Sequence, residues 1–307
     1  MRERLWLIGV LALLGAGWGA TQPLAKIAVS GGYRPFGLIF WQLVLSGALL
    51  AGLVVLRGRR PRFGRRQLVM CTVIALIGTV LPNAASYQAA VYLPAGVISI
   101  LLSLVPMFAF PIALLMATDS FGWLRLAGLL CGLLGVALIT GPEASMPEAW
   151  MAAFIPLALI APVFYGLEGN VVARYGTAGL GPIELLCGAS VVGAAIALPL
   201  ALVSGQWIDP RPPWDAPDLA LVLSSAIHAV VYAGYVWMVG RAGAVFAAQV
   251  SYLVTGFGVV WAMLILGERY SAWVWAAMAV MFVGLFLVQP RPKPALVHAV
   301  KAGQDTV

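Results

Sequence analysis

Residues 93–140 read LPAGVISILLSLVPMFAFPIALLMATDSFGWLRLAGLLCGLLGVALIT, and residues 242–289 read AGAVFAAQVSYLVTGFGVVWAMLILGERYSAWVWAAMAVMFVGLFLVQ. At a shift of 149 the two align without a gap. Each is an apolar span, a short polar turn holding one acid (Asp119, Glu268), and a second apolar span in which Gly135 meets Gly284. Nine of the 47 positions from 94 to 140 are identical, so the gapless order of features carries the repeat more than identity does. A period near half of 307 residues implies two copies of one unit.

Of these residues, 62% are hydrophobic and only 9% charged, a composition outside the range of soluble domains. Apolar spans fall near 5–29, 37–56, 67–89, 95–116, 123–140, 149–173, 180–204, 218–240, 244–265 and 270–288. Each is about long enough for a hydrocarbon core of ~30 Å at ~1.5 Å per residue. The predicted fold is an all-α membrane protein of ten transmembrane helices. The runs are continuously apolar and lack the alternation of a membrane barrel. The start, MRERLWLIGVLALLGAGWGAT, has the basic and apolar regions of a secretory signal, but Trp18 stands where cleavage wants a small residue. It reads as a retained first helix.

Basic residues report topology. One set of connecting segments holds Arg2, Arg4, the cluster Arg57, Arg59, Arg60, Arg62, Arg65 and Arg66, then Arg125, Arg174, Arg241, Arg291, Lys293 and Lys301. The alternate loops hold Arg34, Arg211 and Arg269, with the acids Glu143, Glu148, Asp209, Asp215, Asp218 and Glu268. That asymmetry predicts both termini in the cytoplasm of a bacterial inner membrane. The arginine cluster is read as a positive-inside anchor, with binding of anionic lipid headgroups as the alternative. The predicted surroundings are a lipid bilayer, with no nucleic acid. Cys71, Cys131 and Cys187 lie inside spans without paired spacing, which indicates neither a disulfide framework nor a metal site. No cofactor is predicted.

Five spans per copy is an odd number, so the second copy enters the membrane from the opposite side. Duplication then yields two inverted five-helix repeats, at 1–142 and 143–290, followed by a cytoplasmic tail at 291–307. Inverted halves exchange conformations about an axis in the membrane plane, and the binding site of such a protein lies at the midplane between them.

Further back, GAGWGATQPLAKIA from Gly15 matches PVFYGLEGNVVARY from Pro162, setting Trp18 against Tyr165 and Gly19 against Gly166. The ten spans, the tryptophan-glycine pair followed by Lys26, and the Gly267-Glu268 pair between spans nine and ten resemble the EamA branch of the drug/metabolite transporter superfamily. The resemblance covers nearly the whole chain. Two departures stand out. Thr118-Asp119 takes the place of Gly-Glu in the first half, and Trp41-Gln42 the place of an arginine in the second span. The resemblance implies export or facilitated movement of small metabolites, amino acids among them.

Polar side chains inside the hydrocarbon carry the remaining functional information, because their burial is costly. Thr79, Asn83 and Ser86 share one helical face, and at the 149 shift His228, Tyr232 and Tyr235 take the same positions. Ser99, Ser103 and Pro106 likewise correspond to Ala248, Tyr252 and Thr255, with Gln249 and Trp261 nearby. The first span adds Trp18, Gln22 and Lys26, and the sixth adds Tyr165 and Glu168. Trp18, Gln22, Thr79, Asn83, Ser103, Tyr165, His228, Tyr232, Tyr235 and Tyr252 are the predicted substrate-binding set, lining one cavity for a compact amphiphile. The competing reading is that the hydroxyls bond backbone or neighbouring helices. His228, near mid-depth, accepts or relays a proton, or bonds a tyrosine. Lys26 and Glu168 are expected near opposite membrane faces, snorkelling or contacting substrate. Asp119 and Glu268 are each expected to stabilise the N-terminus of the helix that follows. Gly128, Gly132 and Gly135 form a small-residue face for close helix contact within the chain or in a dimer. Pro82, Pro94, Pro106, Pro111, Pro156 and Pro162 mark bends.

The leading function is a secondary transporter of a small-molecule substrate, an amino acid, aromatic compound or related amphiphile, by alternating access. A lipid flippase is the nearest alternative, and an intramembrane enzyme a more distant one. Enzymes of that class need a catalytic cluster at one depth, and His228 has only Ser224 and Ser225 beside it. No phosphate-binding loop is present to suggest nucleotide-driven pumping.

Overall fold

The computed structural model describes residues 2–58, 61, 63–141, 146–242, 244–247 and 249–288, and every regular element among them is helical. In chain order these are α1 (Arg2–Ser30), α2 (Pro35–Leu56), α3 (Arg65–Ala75), α4 (Leu81–Tyr92), α5 (Ala95–Leu102), α6 (Val105–Leu115), α7 (Trp123–Thr140), α8 (Ile155–Tyr175), α9 (Pro182–Val203), α10 (Ala216–Ala242), α11 (Ala244–Ala247), α12 (Val250–Leu266) and α13 (Ala272–Val288). Eight stretches are long and apolar enough to cross a membrane, ending with Ala216–Ala242; Val250–Leu266 and Ala272–Val288 are shorter apolar helices. The ninth expected span, 244–265, is described as the single turn α11 followed by α12. Arg59, Arg60, Arg62, Glu143, Ala248, the boundary at 142–143 and the tail at 291–307 lie outside the described residues.

Prolines explain the breaks. Between α3 and α4 runs a π turn, Leu76–Val80, and Pro82 sits in the first turn of α4. Pro82 has no N–H for the Gly78 carbonyl and its ring crowds that carbonyl, so the turn widens there. Pro106 in turn leaves the Leu102 carbonyl without an intrahelical donor. The chain tightens before it, with the Ser103 and Leu104 N–H groups bonding Ile100 and Leu101 at 3.0 and 3.1 Å, and α6 starts afresh. Pro156 is harmless in the first turn of α8, whereas Pro162 lies inside it.

Packing runs mainly between the two halves of the chain. α1 lies on α10 and α12, while α8 lies on α4 and α6. α2 pairs with α9 and touches α10; α9 in turn touches α3. α5 pairs with α12, and α7 with α13. Exchanging each helix for its counterpart in the other half leaves this set of pairings unchanged. Two crossings show it in detail. A Cβ on Gly19 of α1 would stand 2.7 Å from the Gly258 nitrogen of α12, and one on Gly166 of α8 would stand 2.9 Å from the Ala109 nitrogen of α6. Residue 258 is residue 109 displaced by 149.

The glycine face of α7 is used inside the chain. A Cβ on Gly128 would lie 2.7 Å from the Gly284 carbonyl, and one on Gly135 would press on Met281. The main apolar cluster, including Leu93, Leu101, Met107, Ile139 and Met281, joins α5, α6, α7 and α13 beside the central helices.

Candidate substrate-binding cavity

Seven helices, α1, α2, α4, α8, α9, α10 and α12, together with the π turn, Leu102 of α5 and Val105 of α6, line a cavity of about 460 Å³. Eight of the ten residues selected from sequence stand on its wall: Trp18, Gln22, Thr79, Asn83, Tyr165, His228, Tyr232 and Tyr235. Helical spacing explains this. Thr79, Asn83 and Ser86 follow one face through the π turn into α4, and His228, Tyr232 and Tyr235 follow one face of α10.

Ser103 and Tyr252 do not line the cavity. Ser103 sits at the break between α5 and α6, fully enclosed, with its hydroxyl donating to the Ile100 carbonyl at 2.7 Å. Tyr252 turns its ring toward Phe282 of α13, centroids 5.8 Å apart. In α12 the cavity side is held by Val250, Ser251, Val254 and Thr255, and Tyr252 lies about 100° round from Ser251. Of their neighbours, Ser99 bonds the Ala95 carbonyl and Trp261 the Ala16 carbonyl at 2.9 Å, the structural use of such groups.

One wall is aromatic. The Trp18 indole N–H donates to His228 Nδ1 at 3.3 Å, and the Trp18 ring lies 6.3 Å from Tyr232, edge on, and 5.5 Å from Tyr235. Because Nδ1 accepts, the proton of a neutral imidazole belongs on Nε2. A second group on the wall is an amide chain. Tyr165 donates to Asn83 Oδ1 at 2.7 Å, Asn83 Nδ2 donates to Gln42 Oε1 at 3.2 Å, and the Tyr87 hydroxyl donates to the same Gln42 oxygen at 2.5 Å. These groups fix one another's orientation across α8, α4 and α2.

Sequence reading missed Gln42, Ser46, Tyr87 and Ser190 as cavity residues. The signal was present in part, since Gln42 and Ser46 stand four residues apart on one face of an otherwise apolar helix. Trp41, beside Gln42, points away, with its indole N–H donating to the Ile208 carbonyl at 3.0 Å.

Lys26 and Glu168 part company. Lys26 Nζ donates to the carbonyls of Ala90, Val91 and Leu93 at 2.7, 3.3 and 3.1 Å, capping the C-terminus of α4. Glu168 faces the cavity. Glu268 does not serve the helix that follows it. Its two carboxylate oxygens accept from the Ala95 and Gly96 N–H groups at 2.8 and 3.1 Å, capping α5. The two side chains thus clamp both sides of the turn between α4 and α5. Tyr270 donates to the same Glu268 carboxylate; burial, then that carboxylate, raises its phenol above the ordinary range. Asp119, the counterpart of Glu268, stays local, accepting from Ser120 N–H and pairing with Arg125 of α7. The same end as the clamp carries further ties between halves. Tyr33 donates to Asp218 Oδ1 at 2.5 Å, and the Phe36 N–H donates to Gln206 Oε1 at 3.0 Å. Among the described residues no cluster of His, Cys, Asp and Glu is arranged to hold a metal.

With this geometry stands a family match. The model of the EamA-like transporter family matches residues 5–141 and again 153–289. The chain belongs to the EamA-like transporter family. It is a multi-pass membrane transporter made of two EamA-like repeats. It is similar to a probable terminal-alkyne amino-acid exporter of Streptantibioticus cattleyicolor, 27% identical over 290 residues, 92% of this chain and 93% of the relative. It is also similar to the uncharacterized transporter YvbV of Bacillus subtilis, 25% identical over 292 residues and 92% of both chains. A solved crystal structure superposes with a TM-score of 0.63 at 17% identity, over 90% of this chain and 94% of its own, which speaks for the fold alone.

Proposed function

We propose that this EamA-like chain is a secondary transporter that moves a small amphipathic metabolite, an amino acid, aromatic compound or related molecule, by alternating access. In this reading ten spans form two inverted five-helix repeats in a bacterial inner membrane, both termini are cytoplasmic, and net movement is export or facilitated diffusion. The observation that carries it is the set of helix pairings, unchanged when the halves are exchanged, around one cavity. A cavity bounded by interchangeable halves opens to either side at little difference in energy. The cavity residues Trp18, Gln22, Thr79, Asn83, Tyr165, His228, Tyr232 and Tyr235 hold the substrate, whose apolar body lies on the aromatic wall and whose polar end meets the amide chain.

On this reading the cavity is open toward the cytoplasm. Lys26 and Glu268 clamp the turn between α4 and α5 at the end where α1 finishes, which the arginine asymmetry makes the outer end. At the inner end Asp119 is engaged locally with Ser120 and Arg125, and Ala173 stands where the repeat would place a second lysine, so among the described residues no equivalent clamp is made there. The deciding experiment is solute movement by the purified protein in liposomes. Labelled amino acids or aromatic solutes should cross, and Tyr232→Ala or Asn83→Ala should slow them by about tenfold or more, the loss expected for one buried contact. Absence of any solute flux, or hydrolysis of a peptide or lipid instead, would retire the reading. Scrambling of labelled lipid would replace it with the flippase.

A further inference from the structure

We infer that Glu168 is the anchor for a positively charged amine on the substrate, which makes the cavity selective for cationic amphiphiles; this rests on the transport reading above. The side chain leaves α8 three residues after Tyr165 and reaches the cavity wall next to the π turn. Gly78 supplies the notch it occupies. A Cβ there would stand 2.6 Å from Glu168 Cδ and 3.0 Å from Oε2. The carboxylate lies within electrostatic reach of the Tyr165 and Tyr232 hydroxyls, yet among the described residues it has neither a hydrogen bond nor an ion pair.

Among the described residues no other acid lines this cavity, and no lysine or arginine does. His228 cannot answer the charge in this arrangement, because its Nδ1 lone pair is held by the Trp18 N–H. An uncompensated carboxylate in a membrane cavity is costly, and a cation entering beside it recovers that cost. A neutral ligand recovers none of it. The faces of Trp18, Tyr232 and Tyr235 on the cavity wall suit the apolar or aromatic body of such an amine, and stabilise a cation placed over them. A free α-carboxylate on the same molecule would meet only neutral donors such as the Gln22 amide. The expected order of affinity is therefore organic amine first, zwitterionic amino acid second, neutral alcohol last.

The test compares 2-phenylethylamine, phenylalanine and 2-phenylethanol by thermal stabilisation and calorimetric titration of the full chain purified in detergent. The wild type should prefer the amine, and Glu168→Gln should weaken amine binding by about 30-fold or more while leaving the alcohol unchanged. Glu168→Asp, which keeps the charge, should recover part of the loss. Gly78→Ala, which keeps the carboxylate but fills its notch, should also weaken the amine. Equal binding of amine and alcohol by the wild type would overturn the inference, as would unchanged amine affinity in Glu168→Gln or absence of amine binding altogether. In each of those cases solute flux that Tyr232→Ala abolishes would still leave the transporter standing. Conversely, amine binding lost in Glu168→Gln without flux in liposomes would keep the anchor and retire the transporter.

Discussion

Tyr33 and Asp218 hold the end of α1 to the start of α10 through one short hydrogen bond, 2.5 Å, in the turn region between spans. Burial, then the Asp218 carboxylate, raises the Tyr33 phenol above its ordinary range. For an acid whose folded-state pKa lies above the unfolded one, the contribution is complete below the unfolded value, about 10 for a tyrosine, and fades only as pH climbs through the folded value. Tyr33→Phe should accordingly cost about 1 kcal/mol in detergent, because the pair is half exposed to solvent. Unfolding midpoints at pH 6 and pH 9 should differ from wild type by the same amount. A difference that vanishes by pH 9 would refute this account of the tie. Asp209 offers a contrast. Its hydrogen bonds with the Arg211 side chain lower it to about 2, yet both are fully exposed, and Asp209→Asn should leave the midpoint where it is.

Among elements, the glycine crossings decide which helices approach closely. α1 meets α12 at Gly19 and Gly258, and α8 meets α6 at Gly166 and Ala109. Backbones so near leave no room for a side chain, and a branched residue forces the helices apart. Gly19→Val and Gly166→Val should each destabilise the protein by about 1–3 kcal/mol or more, as overpacking does. Gly169→Ala, on the same helix as Gly166 but with open space at its Cβ, should be neutral or slightly stabilising. Comparable losses at all three positions in a denaturant titration would remove the crossings from the argument. Equal losses at Gly19 and Gly166 are expected because the two crossings are counterparts under the repeat.

At the scale of the molecule, the proposed alternating-access reading makes the Lys26 and Glu268 clamp the element that shuts one end. Lys26→Met removes three hydrogen bonds from the end of α4, and Glu268→Gln weakens the cap on α5. Each should shift the population toward the outward-open arrangement, by about tenfold for every ~1.4 kcal/mol of clamp lost. With Cys71, Cys131 and Cys187 replaced, a cysteine at Thr79 should react with an impermeant thiol reagent from the cytoplasmic face only. Adding Lys26→Met should expose it to the outside. Reaction from the outside already in the parent, or no change with Lys26→Met, would sink the inward-open assignment.

The sequence by itself determined the membrane class, the two repeats and eight of the residues on the cavity wall. Inside a membrane, apolar length and sparse polar stripes at helical spacing leave little freedom, and Thr79, Asn83, His228 and Tyr232 were legible for that reason. Pro82 and Pro106 marked the breaks in advance because a missing N–H acts locally. What periodicity could not give was the rotation of each helix about its own axis, a matter of contacts far apart in the chain. Only the tertiary structure turned Tyr252 toward Phe282 and seated Ser103 at a break. It also brought Gln42 into the amide chain and sent Glu268 to cap α5 instead of the helix that follows. It likewise separated two charges that looked alike, giving Lys26 three carbonyls and leaving Glu168 against Gly78 with no hydrogen-bond partner among the described residues, because a charge in this environment takes its role from what the fold places within reach.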